Sequence, residues 1–124
     1  MKKQRPISPH LQVYKPQLTS ILSITHRLTG VALSAALVVL CYGVLALNLG
    51  GESYNSFLNH VGAWYGKTLM IGWGFSFYYH LCNGLRHFYW DIGKGYSLKT
   101  VYRTGWMVVA IAIGLTLITA MKVV

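Results

Sequence analysis

The sequence predicts an all-α integral membrane protein of three transmembrane helices, with the N-terminus cytoplasmic and the C-terminus periplasmic. Three observations carry this. Charged residues leave long gaps: 24 uncharged residues lie between Arg27 and Glu52, 18 between Lys67 and Arg86, and 18 between Arg103 and Lys122. At 1.5 Å of rise per residue, each gap can cross a hydrocarbon core of roughly 30 Å. Hydrophobic residues make up 54% of the chain, and the mean hydropathy of +0.44 excludes an ordinary soluble domain. Finally, Lys2, Lys3, Arg5, Lys15 and Arg27 precede the first gap, and Arg86, Lys94, Lys99 and Arg103 surround the second connection. Only Lys67 and Lys122 fall on the other side, so the positive-inside rule sets the orientation.

Nearly all of the net charge of +9 therefore belongs to one membrane face. It points to anionic lipid head groups and away from nucleic acid. With 124 residues the chain is a single membrane-anchor unit, 1–124, comprising an N-terminal arm over 1–19 and spans over about 22–49, 67–90 and 105–122. Cys41 and Cys82 fall in separate spans, where a thiol packs as a small apolar group and no structural disulfide is expected. No CxxCH motif is present, so any haem would be non-covalent, of the b type. The first apolar stretch is too long, and begins too far in, for a cleavable signal.

The arm holds all three prolines, Pro6, Pro9 and Pro16, with His10 and Tyr14 among its basic residues. Proline excludes a helix there, so the arm is expected to lie on the membrane surface or against a soluble partner. Thr19 or Ser20 is the expected cap of the first helix. Along its early turns Ser20, Ser23, Arg27, Gly30 and Ser34 fall on one stripe, with His26 on the neighbouring face. Arg27 can simply snorkel to the head groups while Gly30 and Ser34 form a packing seam. Alternatively, Ser23 and Arg27, one turn apart, can donate to the same oxygen of a polar ligand.

Residues 50–66 read as a short outer connection whose glycines mark turns and whose Trp64 and Tyr65 form an interfacial belt; His60 is taken as a surface residue. Residues 92–104 read as a basic cytoplasmic turn. Asp91, beside Arg86 and Lys94, is expected in a rim ion pair or a helix-end contact.

The chemistry concentrates in HLCNGLRHFYWD, residues 80–91. At 100° per residue Gly84 lies about 40° from His80, His87 about 20° to the other side and Asp91 about 20° away, so all share one face. Polar groups in a span are costly. An imidazole there needs a partner, which an interhelical hydrogen bond supplies as well as a metal macrocycle does. Gly84 would give a macrocycle clearance or would serve helix packing.

Two stretches together, SPHLQVYKPQLTSILSITHRLTG (8–30) and HLCNGLRHFYWDIG (80–93), closely resemble the membrane-anchor cytochrome b subunit of succinate dehydrogenase, respiratory complex II. The resemblance implies an assembly with a flavoprotein, an iron-sulfur subunit and a second membrane anchor, which together pass electrons from succinate to ubiquinone. It implies that this chain is not an enzyme on its own. It also implies that His80 is an axial ligand of haem b, the second ligand coming from the other anchor. Ser23 and Arg27 match the family's quinone-pocket serine and arginine. His26 and His87 match family positions near the haem propionates and the pocket edge, and Arg27 and Gly84 are expected beside the haem with them.

Two other readings remain open. One is a cofactor-free structural anchor, and the other a fumarate reductase anchor using menaquinol. The mature-looking arm favours a bacterial inner membrane, with the mitochondrial inner membrane as the alternative.

Overall fold

The computed structural model describes residues 13–123, and they are all helical apart from short connections. The expectations for the arm before residue 13, His10 included, lie outside the described residues. Four helices follow in chain order: α1 (Leu18–Leu49), α2 (Gly51–Gly62), α3 (Trp64–Asp91) and α4 (Leu98–Val123).

Helix α1 begins two residues after Pro16. Gln17, extended at φ −95° and ψ 149°, precedes it without a side-chain cap, and the first helical bond runs from the Ile21 amide to the Gln17 carbonyl, 3.1 Å. The expected cap at Thr19 or Ser20 is not used, because Pro16 constrains only the residue before it and the helix starts at Leu18. Gly50, at φ 117°, ends it.

The expected linker over 50–66 is instead largely α2. Tyr54, Phe57, Leu58 and Val61 recur at the spacing of one helical face. Through that face the helix leans on α1: a Cβ on Gly43 would fall 2.8 Å from the Phe57 ring, and Tyr42 meets Phe57 edge-on at 5.9 Å. Gly51 and Gly62 bound the helix and mark no turn inside it. Gly66 lets α3 leave closely, since a Cβ there would collide with the carbonyls of His60 and Val61.

Helix α4 starts about seven residues before the expected span. Ser97 caps it, its Oγ accepting the Thr100 amide at 3.3 Å. The preceding turn uses positive φ at Gly93 (78°) and Gly95 (81°), where a Cβ is costly.

Helices α1 and α4 are each long and apolar enough to cross a membrane. Their outward faces are apolar, as at Val31, Val38 and Leu117, and so large an exposed apolar surface is stable only in lipid. The protein is an all-α membrane protein. Helix α3 has the length, 28 residues, but is less apolar because it carries His80, Asn83, Arg86 and His87.

These polar residues turn inward. Tyr79, 1% exposed, packs with Leu22, Val108 and Ala112 and donates to the Leu22 carbonyl at 2.8 Å, joining α3 to α1. Tyr78 joins α3 to α4 at the far end. Thr119 gives its hydroxyl proton to the Leu115 carbonyl, so the Tyr78 hydroxyl donates to Thr119 Oγ1 at 2.8 Å.

Arg86 corrects the rim ion pair expected with Asp91. It is 7% exposed and reaches α4, donating from Nε to Thr104 Oγ1 (3.0 Å) and from Nη2 to the Val101 carbonyl (2.8 Å), while its guanidinium covers the Trp90 ring at 4.1 Å. Asp91 is exposed, and no ion pair forms among the described residues. A planar donor fork satisfied by backbone and hydroxyl oxygens is more stable inward than a solvent-screened pair.

Candidate functional site: a histidine cluster between α1 and α3

Where α1 and α3 cross, three imidazoles meet. The His26 and His80 rings stack with centroids 3.9 Å apart and 10° between planes. His87, two turns further along α3, tilts against His26 at 5.3 Å and stands edge-on to Trp90 at 5.2 Å. All three histidines are half-buried.

Hydrogen bonds fix the tautomers of the stacked pair. His80 Nδ1 lies 3.0 Å from the His26 carbonyl, and a carbonyl only accepts, so Nδ1 carries the proton. His26 Nε2 lies 3.2 Å from the His80 carbonyl and carries its proton for the same reason. The interhelical hydrogen bond that the polar stripe required is thus present twice. It leaves one nitrogen of each ring with a lone pair and no protein partner among the described residues: Nε2 of His80 and Nδ1 of His26.

An imidazole whose Nδ1–H donates to a backbone carbonyl while Nε2 is bare is the form in which histidine binds a metal. Thr29, 6% exposed, closes the cradle. Its hydroxyl donates to the His26 carbonyl at 2.9 Å, and its oxygen stands 3.2 Å from His80 Nδ1.

Gly30 provides the room for this ring. A Cβ there would lie 3.1 Å from His80 Cε1, tighter than ordinary contact. At Gly84 a Cβ would meet only His26 Nε2, at an unstrained 3.9 Å. The close approach therefore occurs at the α1 glycine, and the α3 glycine faces the His26 ring.

The stripe of early α1 residues lies along the edge of the α1–α3 contact and is not buried in it. Leu22 and Thr29 are buried and Ser23, His26 and Gly30 half-buried, whereas Ser20, Arg27 and Ser34 are exposed. Neither Ser23 nor Arg27 has a side-chain hydrogen bond among the described residues. Ser23 is one turn from His26 at the edge of the cluster, and Arg27 lies outside it. His60 is on α2, exposed, 2.6 Å from the Tyr65 hydroxyl and far along the chain from the cluster. Cys41 and Cys82 are free thiols.

Sequence reasoning missed Thr29, Gly30 as the ring's neighbour, and the inward Arg86. For the first two a signal existed: Thr29 and Gly30 follow His26 by three and four residues and so share its face.

The family model described as succinate dehydrogenase/fumarate reductase transmembrane subunit matches residues 1–119. The succinate dehydrogenase cytochrome b556 subunit of Rickettsia prowazekii is 44% identical over 115 residues, covering 93% of this chain and 90% of the relative. The mitochondrial succinate dehydrogenase cytochrome B subunit of Schizosaccharomyces pombe is 38% identical over 114 residues, covering 88% and 63%. The succinate dehydrogenase cytochrome b560 subunit of Reclinomonas americana is 38% identical over 126 residues, covering 95% and 85%. The chain belongs to the family of transmembrane subunits of succinate dehydrogenase and fumarate reductase.

Proposed function

We propose that this chain is the haem b-binding membrane anchor of a succinate:ubiquinone oxidoreductase and forms part of its quinone-reduction site. The observation that carries the proposal is the bare Nε2 of His80, held in its metal-binding tautomer by the α1 backbone. The residues present fit a haem: one imidazole with a free lone pair, two further histidines around it, and a stacked ring that fixes its plane. When bound, the haem supplies a one-electron store. His80 would hold the iron through Nε2, with a further ligand supplied by another anchor subunit. His26, His87, Arg27 and Gly84 would line its surroundings.

Ser23 and Arg27 are proposed for the quinone. Both occupy the first turns of α1, at the membrane rim, where protons are available from the cytoplasm. The Ser23 hydroxyl would donate to a quinone oxygen, and the Arg27 guanidinium would stabilise the negative charge that oxygen gains on reduction. Their lack of internal hydrogen-bond partners among the described residues leaves these donors free for that role. Helix α3 is proposed as the third span, giving a cytoplasmic N-terminus and a periplasmic C-terminus, with the whole chain acting as one anchor unit beside flavoprotein, iron-sulfur and second anchor subunits in a bacterial inner membrane. Its support is α3's packing between α1 and α4 and the one-sided basic residues.

The test is a reduced-minus-oxidised spectrum of the purified complex beside its His80→Ala variant, with quinone reductase activity measured for Ser23→Ala. Loss of b-type absorption in the first and of activity in the second is expected. Absorption that survives His80→Ala would reduce the chain to a tether.

A further inference from the structure

Hydroxyls inside apolar helices normally bond the carbonyl four residues back. Thr25, Ser34, Ser76, Thr116 and Thr119 all do so, at 2.7–3.1 Å. Thr29 does not. Its hydroxyl turns to the carbonyl three residues back, His26, at 2.9 Å. That carbonyl is the one receiving His80 Nδ1–H, and with its only proton committed there, Thr29 Oγ1 presents a lone pair to the same Nδ1 at 3.2 Å. The N–H of His80 thus points between two acceptors, both from α1, in a place that is 6% exposed at Thr29.

We propose that Thr29 is a positioning residue for His80, its hydroxyl oxygen acting as a second acceptor that pins the ring and strengthens Nε2 as an electron donor. The proposal rests on His80 being an iron ligand. Hydrogen bonds to the distal N–H push electron density toward the other ring nitrogen, and a stronger donor favours the oxidised metal. The threonine therefore holds the reduction potential of the site lower than the His26 carbonyl alone would.

The experiment is a redox titration, followed by b-type absorption, of the purified membrane complex carrying Thr29→Val or Thr29→Ser. Valine keeps the branched shape and removes the oxygen, and serine keeps the oxygen. An upward shift of midpoint potential in Thr29→Val, with the wild-type value in Thr29→Ser, is expected. A potential unmoved in Thr29→Val, or moved equally in both, overturns the proposal. If Thr29→Val retains no haem, retention at the wild-type potential in Thr29→Ser still assigns the effect to the oxygen, while loss in both assigns it to packing and overturns it. His80→Ala run alongside separates two failures. Absorption surviving there removes the ligand reading itself, whereas absorption lost there beside an unmoved Thr29→Val potential removes only the role of Thr29.

Discussion

His26 and His80 hold each other by their backbones: each ring donates a proton to the main-chain carbonyl of the other residue, at 3.2 and 3.0 Å. The rings are therefore oriented by the spacing of α1 and α3, and anything that changes that spacing changes where the free nitrogens point. Neither ring can turn without leaving a buried-edge N–H unpaired.

The two glycines of the cluster should respond differently to alanine. At Gly30 the new Cβ would press on His80 Cε1 at 3.1 Å, and the ring cannot retreat without lengthening its Nδ1 bond. Gly30→Ala should cost about 1–3 kcal/mol as an overpacked contact and lower haem retention. At Gly84 the contact is 3.9 Å, and alanine is the better helix former by about 1 kcal/mol. Gly84→Ala should therefore leave the α1–α3 packing intact, and a fall in haem content without a fall in helix-packing stability would mark Gly84 as a neighbour of the macrocycle. Thermal unfolding of the purified complex, with haem content, reads both.

Tyr79→Phe removes one buried hydrogen bond and leaves the Leu22 carbonyl with its helical partner. A loss of about 1 kcal/mol is expected, with no change in haem spectrum, because the Tyr79 hydroxyl bonds the Leu22 carbonyl and no imidazole among the described residues. Denaturant or thermal titration of the complex measures the first, and absorption the second. A spectral change would show that the α1–α3 spacing depends on this hydroxyl.

Helix existence was legible along most of the chain because charge gaps and apolar runs report it directly. Boundaries were less so: the start of α4 depends on a Ser97 cap hidden inside a run read as a basic turn. Helix α2 was legible in the Tyr54, Phe57, Leu58, Val61 period, yet flanking glycines resemble turn signals as much as helix ends. At the site, periodicity brought His80, Gly84 and His87 to one face, and they do face α1 together. Which α1 residues oppose them was not legible, because a helix in lipid has no polar outer face to fix its rotation. The exposed Arg27 and the buried Thr29 could have exchanged places without breaking the pattern.

Ser97→Ala tests the α4 boundary. The Ser97 oxygen accepts the Thr100 amide and donates to the Thr100 hydroxyl at 2.7 Å, so the variant leaves first-turn amides without a side-chain acceptor. A loss of about 1 kcal/mol is expected, recovered by Ser97→Asp. Amide hydrogen exchange over residues 98–102 should quicken in the alanine variant alone.

Arg86 is a buried cation whose partners are all neutral: the Thr104 hydroxyl, the Val101 carbonyl, the Asn83 side-chain carbonyl and the Trp90 face. Replacing it by lysine keeps a desolvated charge and loses the planar fork, whereas methionine removes the charge and leaves Thr104 Oγ1 still bonded to the Thr100 and Val101 carbonyls. Stability in detergent should therefore fall in the order Arg86, Arg86→Met, Arg86→Lys. Equal stability of lysine and arginine would show that the fork geometry is unimportant.

Asn83 offers the sharpest test of that neutral cage. It is 1% exposed, its Oδ1 accepts weakly from Arg86 Nη1 at 3.4 Å, and its Nδ2 has no partner among the described residues. An orphaned buried donor costs about 1–3 kcal/mol. Asn83→Asp exchanges that donor for a second acceptor and gives the guanidinium a carboxylate of opposite charge, already within reach. The variant should melt at or above the wild-type temperature, against the usual expectation for an acid placed inside an apolar bundle. The gain should vanish in an Arg86→Met background, where the same carboxylate would be buried alone and should destabilise by several kcal/mol. A double-mutant cycle on thermal stability measures the coupling, and a carboxylate that destabilises equally with and without Arg86 would mean that Nη1 has another partner.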